Sequence, residues 1–366
     1  MPAIIDNKRV KTTGIRTVSL FSGAGGMDIG AINAGANVIW ANDIMKEACV
    51  SYSMNIGKHI VCGDINGLMR DIAKLDDVSL LIGGPPCQGF SVAGKMDKDD
   101  KRSQLVWSYL AALEIVRPEA FVMENVKALA TLKRWNGVRD KLIDGMRSLG
   151  YSTNYVVLNA SDFDVPQVRE RIFIVGFRGD PKRRPDIEAM MNPYKKPAKT
   201  LREVLKQLDK AGTGNNKDVC NAKITLAKTP VLRSSPYAGM LFNGLGRPLR
   251  IDGYSATLPA SMGGNKTPII DENEFYAGNT PWVEAYYEEV KHNPFVSRTT
   301  MVPDFMRRIT VSEAALIQTF PIGYKFYGSQ SMRYTQIGNA VPCNMAKAVV
   351  EMVVDIIRGN KEIAYL

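Results

Sequence analysis

Residues 17–34 read TVSLFSGAGGMDIGAINA. Thr17–Phe21 is a short, mostly apolar run that predicts a buried strand. Ser22–Gly26 follows with glycine at 23, 25 and 26, and Met27–Ala34 has the spacing of a helix. A strand that passes through a glycine-rich turn into a helix lets the backbone approach a nucleotide closely. Taken alone, the segment is equally compatible with a plain turn. It is not the dinucleotide fingerprint, because Asp28 stands where G-x-G-x-x-G has its third glycine.

Working outward, the same alternation continues to about residue 178. Ala36–Trp40, His59–Cys62, Val78–Ile82, Ala120–Met123, Thr153–Leu158 and Ile172–Phe177 read as strands. Ile44–Met54, Gln104–Val116 and Val138–Leu149 read as helices between them. Strands alternating with helices predict an α/β fold, a doubly wound and mostly parallel sheet covered on both faces. Ligands of such sheets bind at the carboxyl ends of the strands. Residues 178–200 are rich in Pro, Lys and Arg and read as a linker. Residues 211–300 carry many Gly, Asn, Pro and Thr, which predicts a second, smaller, irregular domain. Helices return at Ile309–Gln318 and Pro342–Arg358.

The composition narrows the chemistry. A net charge of +10 over 366 residues suits a polyanionic partner, although it also suits an ordinary basic protein. The five cysteines are odd in number and form no Cys-x-x-Cys pair, which argues against disulfides and structural zinc. With only His59 and His292, no metal site is expected, and a Ser-His-Asp machine has little to draw on. No apolar run is long enough for a membrane span, and the N-terminus lacks a signal-peptide core, so a cytoplasmic location is expected.

Strand ends supply the candidate chemistry. Asp43 and Asp64 end the second and third strands, where carboxylates can hold ribose hydroxyls and an adenine amino group; each is otherwise a loop residue or helix cap. Gly83-Gly84-Pro85-Pro86-Cys87-Gln88-Gly89-Phe90-Ser91 follows the fourth strand. Prolines stiffen one side of Cys87 and Gly89 frees the other, a placement suited to a nucleophile; the alternative is a buried, inert thiol. Glu124, at the end of the next strand, can protonate a ring nitrogen if its pKa is raised, or it caps a helix. Arg169 and Arg171 share a face of an extended segment and can bind a base carbonyl or phosphate, or form a solvated charge run. Asn339, beside Gly338 in Gln336–Pro342, reads as a turn before the last helix.

In this order, Pro-Pro-Cys-Gln, Glu-Asn-Val, Gln-x-Arg-x-Arg, Arg308 to Pro321 and Gly-Asn-Ala-Val-Pro resemble the cytosine-C5 DNA methyltransferase family of bacterial restriction–modification type. The resemblance covers nearly the whole chain outside about 180–300, where the family carries its target-recognition domain. Ser19 departs from it, since many members have Asp there. The resemblance implies a discontinuous catalytic and cofactor domain, 1–180 with 322–366, around a target-recognition domain at 181–321. It implies S-adenosylmethionine as cofactor and S-adenosylhomocysteine as product. The cofactor turn would be Phe21, Gly23, Gly25 and Gly26. Asp43 with Ile44 would hold ribose, Asp64 with Ile65 would frame adenine, and Pro86, Leu105, Asn339 and Val341 would close the pocket. Cys87 would add to C6 of a flipped cytosine, with Glu124 at N3 and Arg171 at the carbonyl beside Arg169. Gln88 and Ser91 would sit in a lid over duplex DNA. In the recognition domain, Leu245 would fill the gap left by the base, Arg247 would read a base and Thr257 would touch phosphate.

Three other readings share these residues. One is a tRNA methyltransferase of the same family, which the long 180–305 stretch disfavours. Another is a catalytically silent DNA-binding protein, which the intact Cys87, Glu124 and Arg171 set disfavours. The third is a nicotinamide-dependent dehydrogenase, which Asp28 disfavours. A monomer, bound to the nucleoid through DNA and accompanied by a restriction endonuclease for the same site, is the expected setting.

Overall fold

The computed structural model describes residues 14–86 and 104–366. Its contacts gather the chain into two compact units. The first comprises the described residues up to Val165, then Arg169–Pro197 and Ala340–Leu366; the second comprises Pro166–Val168 and Ala198–Asn339. Residues 181–197 thus lie with the first unit and 322–339 with the second.

The first unit opens with β1 (Arg16–Leu20), α1 (Gly26–Asn33), β2 (Asn37–Asp43), α2 (Lys46–Asn55), β3 (Ile60–Cys62) and α3 (Ile65–Ile72). It continues through β4 (Leu80–Gly83), α4 (Leu105–Val116), β5 (Ala120–Val126), α5 (Ala128–Thr131), α6 (Asn136–Ser148) and β6 (Tyr151–Asn159). After the two-residue β7 (Gln167–Val168), which belongs to the second unit, come β8 (Glu170–Arg178) and α7 (Ile187–Met191). Seven strands form one sheet in the order β3-β2-β1-β4-β5-β8-β6. The first five run parallel, and β8 is antiparallel to both β5 and β6. The strand order reverses between β1 and β4, and that crevice is where ligands of such sheets bind.

Successive side chains of β4 and β5 enter opposite cores, because a strand alternates its faces. Leu80, Ile82, Ala120 and Val122 join one cluster, while Leu81, Phe121 and Met123 join the other. The strands read as unbroken apolar runs for this reason: both faces are covered. The final helix α12 (Cys343–Ile357) fills the first of these cores with Met345, Val349 and Val353. It lies so close to α1 that a Cβ at Gly30 would stand 2.6 Å from the Cys343 carbonyl oxygen. The segment expected to be a linker is ordered in part as α7, because Ile187, Met190 and Met191 bury into the same core.

The second unit is built from short pieces: α8 (Leu201–Leu205), the hairpin β9–β10 (Leu226–Val231, Met240–Phe242), β11 (Ser255–Ala256), β12 (Ile269–Asp271), α9 (Trp282–His292), β13 (Met306–Arg308), α10 (Val311–Ile317) and α11 (Gln330–Asn339). Its apolar cluster gathers Leu241, Phe242, Ile269, Val283, Tyr286 and Val290. Helix α9 lies inside the stretch expected to be irregular; Val283, Tyr286, Tyr287 and Val290 give it a buried stripe at i, i+3, i+4 and i+7. The turn expected at Asn339 is the last residue of α11.

Candidate active site

The carboxyl ends of β1, β2 and β3 are joined by hydrogen bonds. The turn after β1 needs left-handed backbone at Phe21 (φ 55), Gly23 (φ 56) and Gly25 (φ 86), and Gly25 starts α1. Ser22 N–H donates to the Asn42 carbonyl at 2.8 Å. Asp43, ending β2, accepts from Gly23 N at 2.7 Å and from Met45 N at 2.8 Å. Burial raises the pKa of its carboxyl, while these N–H donors pull it down. The next residue, Ile44, is 72% exposed. Asp64 caps α3 by accepting from Asn66 N at 3.0 Å, and Ile65 is buried. Ser108 Oγ on α4 donates to Asn66 Oδ1 at 2.8 Å, which ties the helix that begins at Leu105 to α3. Gly26 is buried in the first turn of α1, and Val341 is buried in the core under α12. Asn339 is exposed and belongs to the second unit.

Across the reversal point, Glu124 and Arg171 form an ion pair of 2.9 Å between Oε1 and Nε. They come from β5 and β8, whose antiparallel register pairs Val126 with Arg171. Both side chains are mostly buried, 12% and 14% exposed. A Cβ added at Gly84 would stand 3.2 Å from Glu124 Oε2, so the carboxylate lies against the segment that follows β4. Burial raises the Glu124 pKa; the nearby Arg171 and Arg169 guanidinium groups pull it down without cancelling that effect. Arg169 is 2% exposed and donates from Nη2 to the Ala340 carbonyl at 3.0 Å. A solvated charge run is therefore excluded for Arg169.

Pro85 and Pro86 are described, whereas Cys87, Gln88 and Ser91 lie outside the described residues. The other four cysteines are free thiols. In the second unit, Leu245 is 55% exposed on a loop whose flanks are fixed. Asn243 N donates to the Thr225 carbonyl, and Gly246 N donates to the Asn265 carbonyl. The Thr257 hydroxyl donates to the Val168 carbonyl at 2.9 Å, so a bond to phosphate requires it to turn away from that partner.

Several residues matter here that the sequence pattern did not single out for a role. Asn125 donates from Nδ2 to the Pro85 carbonyl at 3.2 Å, holding the Pro-Pro segment to β5. Asn42 donates to the Val61 and Gly63 carbonyls, closing β2 onto β3. Asp28 is fully buried and accepts from Ser19 Oγ at 3.0 Å and Tyr52 OH at 2.9 Å. Burial pushes its carboxyl from 3.8 to about 7. Two of them end strands and Asp28 lies in the helix after β1, which was the only local signal; their partners lie 9 to 40 residues away.

The model of the family of C-5 cytosine-specific DNA methylases matches residues 15–355. Over 367 residues the chain is 30% identical to the Type II methyltransferase M.FnuDI of Fusobacterium nucleatum, covering 95% of this chain and 97% of that one. It is also 30% identical over 372 residues to the Type II methyltransferase M.NgoFVII of Neisseria gonorrhoeae, covering 98% and 91%. Among solved structures, a Spodoptera frugiperda DNMT2 mutant shares the fold at TM-score 0.67 and 20% identity, covering 93% of this chain and 99% of that one. S. pombe Dnmt2 does so at TM-score 0.65 and 20% identity, covering 95% and 99%. A match over this length, on a sheet with its acidic strand ends and buried Glu–Arg pair in place, puts the chain in the C-5 cytosine-specific DNA methylase family, as an S-adenosylmethionine-dependent DNA (cytosine-5-)-methyltransferase.

Proposed function

We propose that this chain flips a cytosine out of duplex DNA and activates it with Cys87. The observation that carries this reading is the buried Glu124–Arg171 pair set against Gly84, three residues before Cys87 in the sequence. C5 of cytosine is a weak nucleophile. Addition of the Cys87 thiolate to C6 breaks the ring's aromaticity and makes C5 enamine-like. Glu124 donates its proton to N3 as that negative charge builds, and burial favours the protonated carboxyl this step needs. Arg171 holds the base carbonyl and orients Glu124, and Arg169 adds positive charge beside both. Neighbouring positive charge also favours thiolate over thiol. Loss of the C5 proton to solvent, rupture of the sulfur–C6 bond and return of the N3 proton to Glu124 then restore the ring, the thiolate and the acid. C6 is inaccessible in a stacked duplex, so extrusion of the base, at a cost of a few kcal/mol, is part of the cycle.

The strand ends suit the methyl donor. Asp43 and Asp64 offer carboxylates for ribose hydroxyls and an adenine amino group, and exposed Ile44 offers an apolar surface for a purine between them. Phe21, Gly23, Gly25 and Gly26 keep the β1 turn close to such a ligand; Ile65, Pro86, Leu105 and Val341 complete its surroundings. S-adenosylmethionine, when bound, supplies an electrophilic methyl group to activated C5 and leaves as S-adenosylhomocysteine.

The target-recognition role falls to residues 181–321, with Leu245, Arg247 and Thr257 contacting DNA and Gln88 and Ser91 closing over it. Among the described residues no helix is long and apolar enough to cross a membrane. We read the protein as a cytoplasmic, nucleoid-bound monomer that marks one short sequence, paired with an endonuclease cutting the same site, as the relatives' Type II names suggest. The test is covalent capture on duplex DNA carrying 5-fluorocytosine, with tRNA as the competing substrate. A stable adduct on DNA that depends on Cys87 supports the mechanism; methylation without capture, or capture on tRNA alone, overturns it.

A further inference from the structure

The second unit pairs several of its buried and half-buried arginines internally. Arg202 meets Asp252 at 2.5 Å, Arg307 meets Glu272 and Glu313 at 2.7 and 2.8 Å, and Arg333 meets Asp218 at 2.8 Å. Arg308 donates to the carbonyls of Thr267 and Ala222. Arg247 breaks this pattern. Its Nη1 is buried with no hydrogen-bond partner among the described residues. The charged group that acts on it is another cation, Arg233, which follows β9. Burial and this repulsion both pull the Arg247 pKa down. Buried donors are nearly always satisfied, so a buried, unpaired Nη1 that also feels the charge of a second guanidinium is suited to an anionic acceptor.

The loop carrying Arg247 is rigid enough to hold it there. A Cβ at Gly246 would come within 2.1 Å of the Thr267 carbonyl oxygen, so the backbone is pressed against residues 265–269. Ile269 N donates to the Arg247 carbonyl at 2.9 Å. The Tyr287 hydroxyl donates to the Arg233 carbonyl and anchors the other half.

We propose that Arg233 and Arg247 together clamp one phosphate of the DNA backbone. This rests on the DNA-binding reading above and refines it for Arg247, from base contact to phosphate contact. The chemistry chooses between them. A guanine edge presents two acceptors to a single guanidinium fork and brings no net charge, so the repulsion would persist. A phosphodiester brings a negative charge and two free oxygens, and can satisfy two guanidinium groups from different sides. The clamp positions the duplex and carries no sequence preference of its own.

The experiment measures duplex binding against salt for wild type, Arg233→Gln, Arg247→Gln, Arg247→Lys and the Gln double variant, with thermal melting as the folding control. Two probes are used: a random duplex and one carrying the target found by bisulfite sequencing. The expected result is a roughly tenfold loss of affinity for both duplexes and a salt slope reduced by about 0.9, as for one lost phosphate contact. The double variant should be little worse than either single one, because both hold the same group. Arg247→Lys should recover part of the loss. An unchanged slope with relaxed preference at one base pair would return Arg247 to base reading and overturn the clamp, as would wild-type affinity in both variants or additive losses. Failure of wild type itself to capture 5-fluorocytosine DNA would overturn the DNA reading instead, and is scored separately.

Discussion

Glu124–Arg171 in the first unit and Arg233–Arg247 in the second are opposite arrangements of charge: the first pair is mostly buried, whereas Arg247 is half-buried and Arg233 exposed. The first joins unlike charges 2.9 Å apart at the end of a sheet covered on both faces. The second sets like charges within electrostatic reach of each other on two loops either side of β10, with no acceptor for Arg247 Nη1 among the described residues. A paired buried charge is held in one geometry, and its pKa is raised by burial against the downward pull of its partner, as suits a group that must give up a proton. An unpaired one is open to a partner from outside. Position follows the same logic: strands fix the pair, while a loop carries the unpaired cations to where a large ligand can reach them.

The largest expected effect tests the chemistry on the first side of this contrast. Cys87→Ser should lower methylation by roughly 10⁴-fold or more, as loss of a nucleophile does. Calorimetry should find S-adenosylmethionine affinity nearly unchanged; comparable turnover by the variant would end the assignment.

Glu124→Gln should lower kcat by roughly 10²–10⁴, the range for a lost general acid. Gln can accept from Arg171 but cannot supply the proton, so 5-fluorocytosine capture should slow while Arg171 stays in place. Equal capture rates would mean that the pair is structural only.

The contrast sharpens further at Arg307, a paired arginine of the second unit. Arg307→Ala strands Glu313, which is only 2% exposed, and should destabilise by about 3–5 kcal/mol. Urea unfolding would show it. A loss below 1 kcal/mol would mean that internal pairing in this unit contributes little, which would weaken the argument from the unpaired Arg247.

Asp28 offers the smallest effect. Its carboxyl sits at about 7 when folded against 3.8 as a free side chain, so the native state binds its proton more tightly. That contribution is fully present below pH 3.8 and is lost as pH rises through 7. Asp28→Asn should flatten this decline. Relative to wild type, it should gain about 2–3 kcal/mol between pH 5 and pH 8, whatever pH-independent cost the changed hydrogen bonds add. Parallel stability–pH curves for the two proteins would refute the shift.

Much of this was legible from residues alone. The strand–glycine–helix reading at 17–34 agrees with β1 and α1 to within about a residue, because apolar period and glycine placement are local properties. The carboxylates at strand ends were legible for the same reason. Helix α9 was not: its four buried positions are spread through a segment whose composition suggests loops, and only packing against Leu241 and Ile269 selects its helical stripe. Nor was the order in 178–200, since Ile187 and Met191 gain a core only when α12 returns from more than 150 residues later.

The sequence by itself determined the sheet's class, the family and the residue types available for chemistry, since each follows from short-range pattern and motif order. Only the tertiary structure decided which charges meet. Glu124 and Arg171 are 47 positions apart, and Arg233 lies 14 before Arg247 across a hairpin. Strand register and loop packing bring such groups together, and the strength of a charge interaction depends on that distance and burial, which no spacing along the chain encodes.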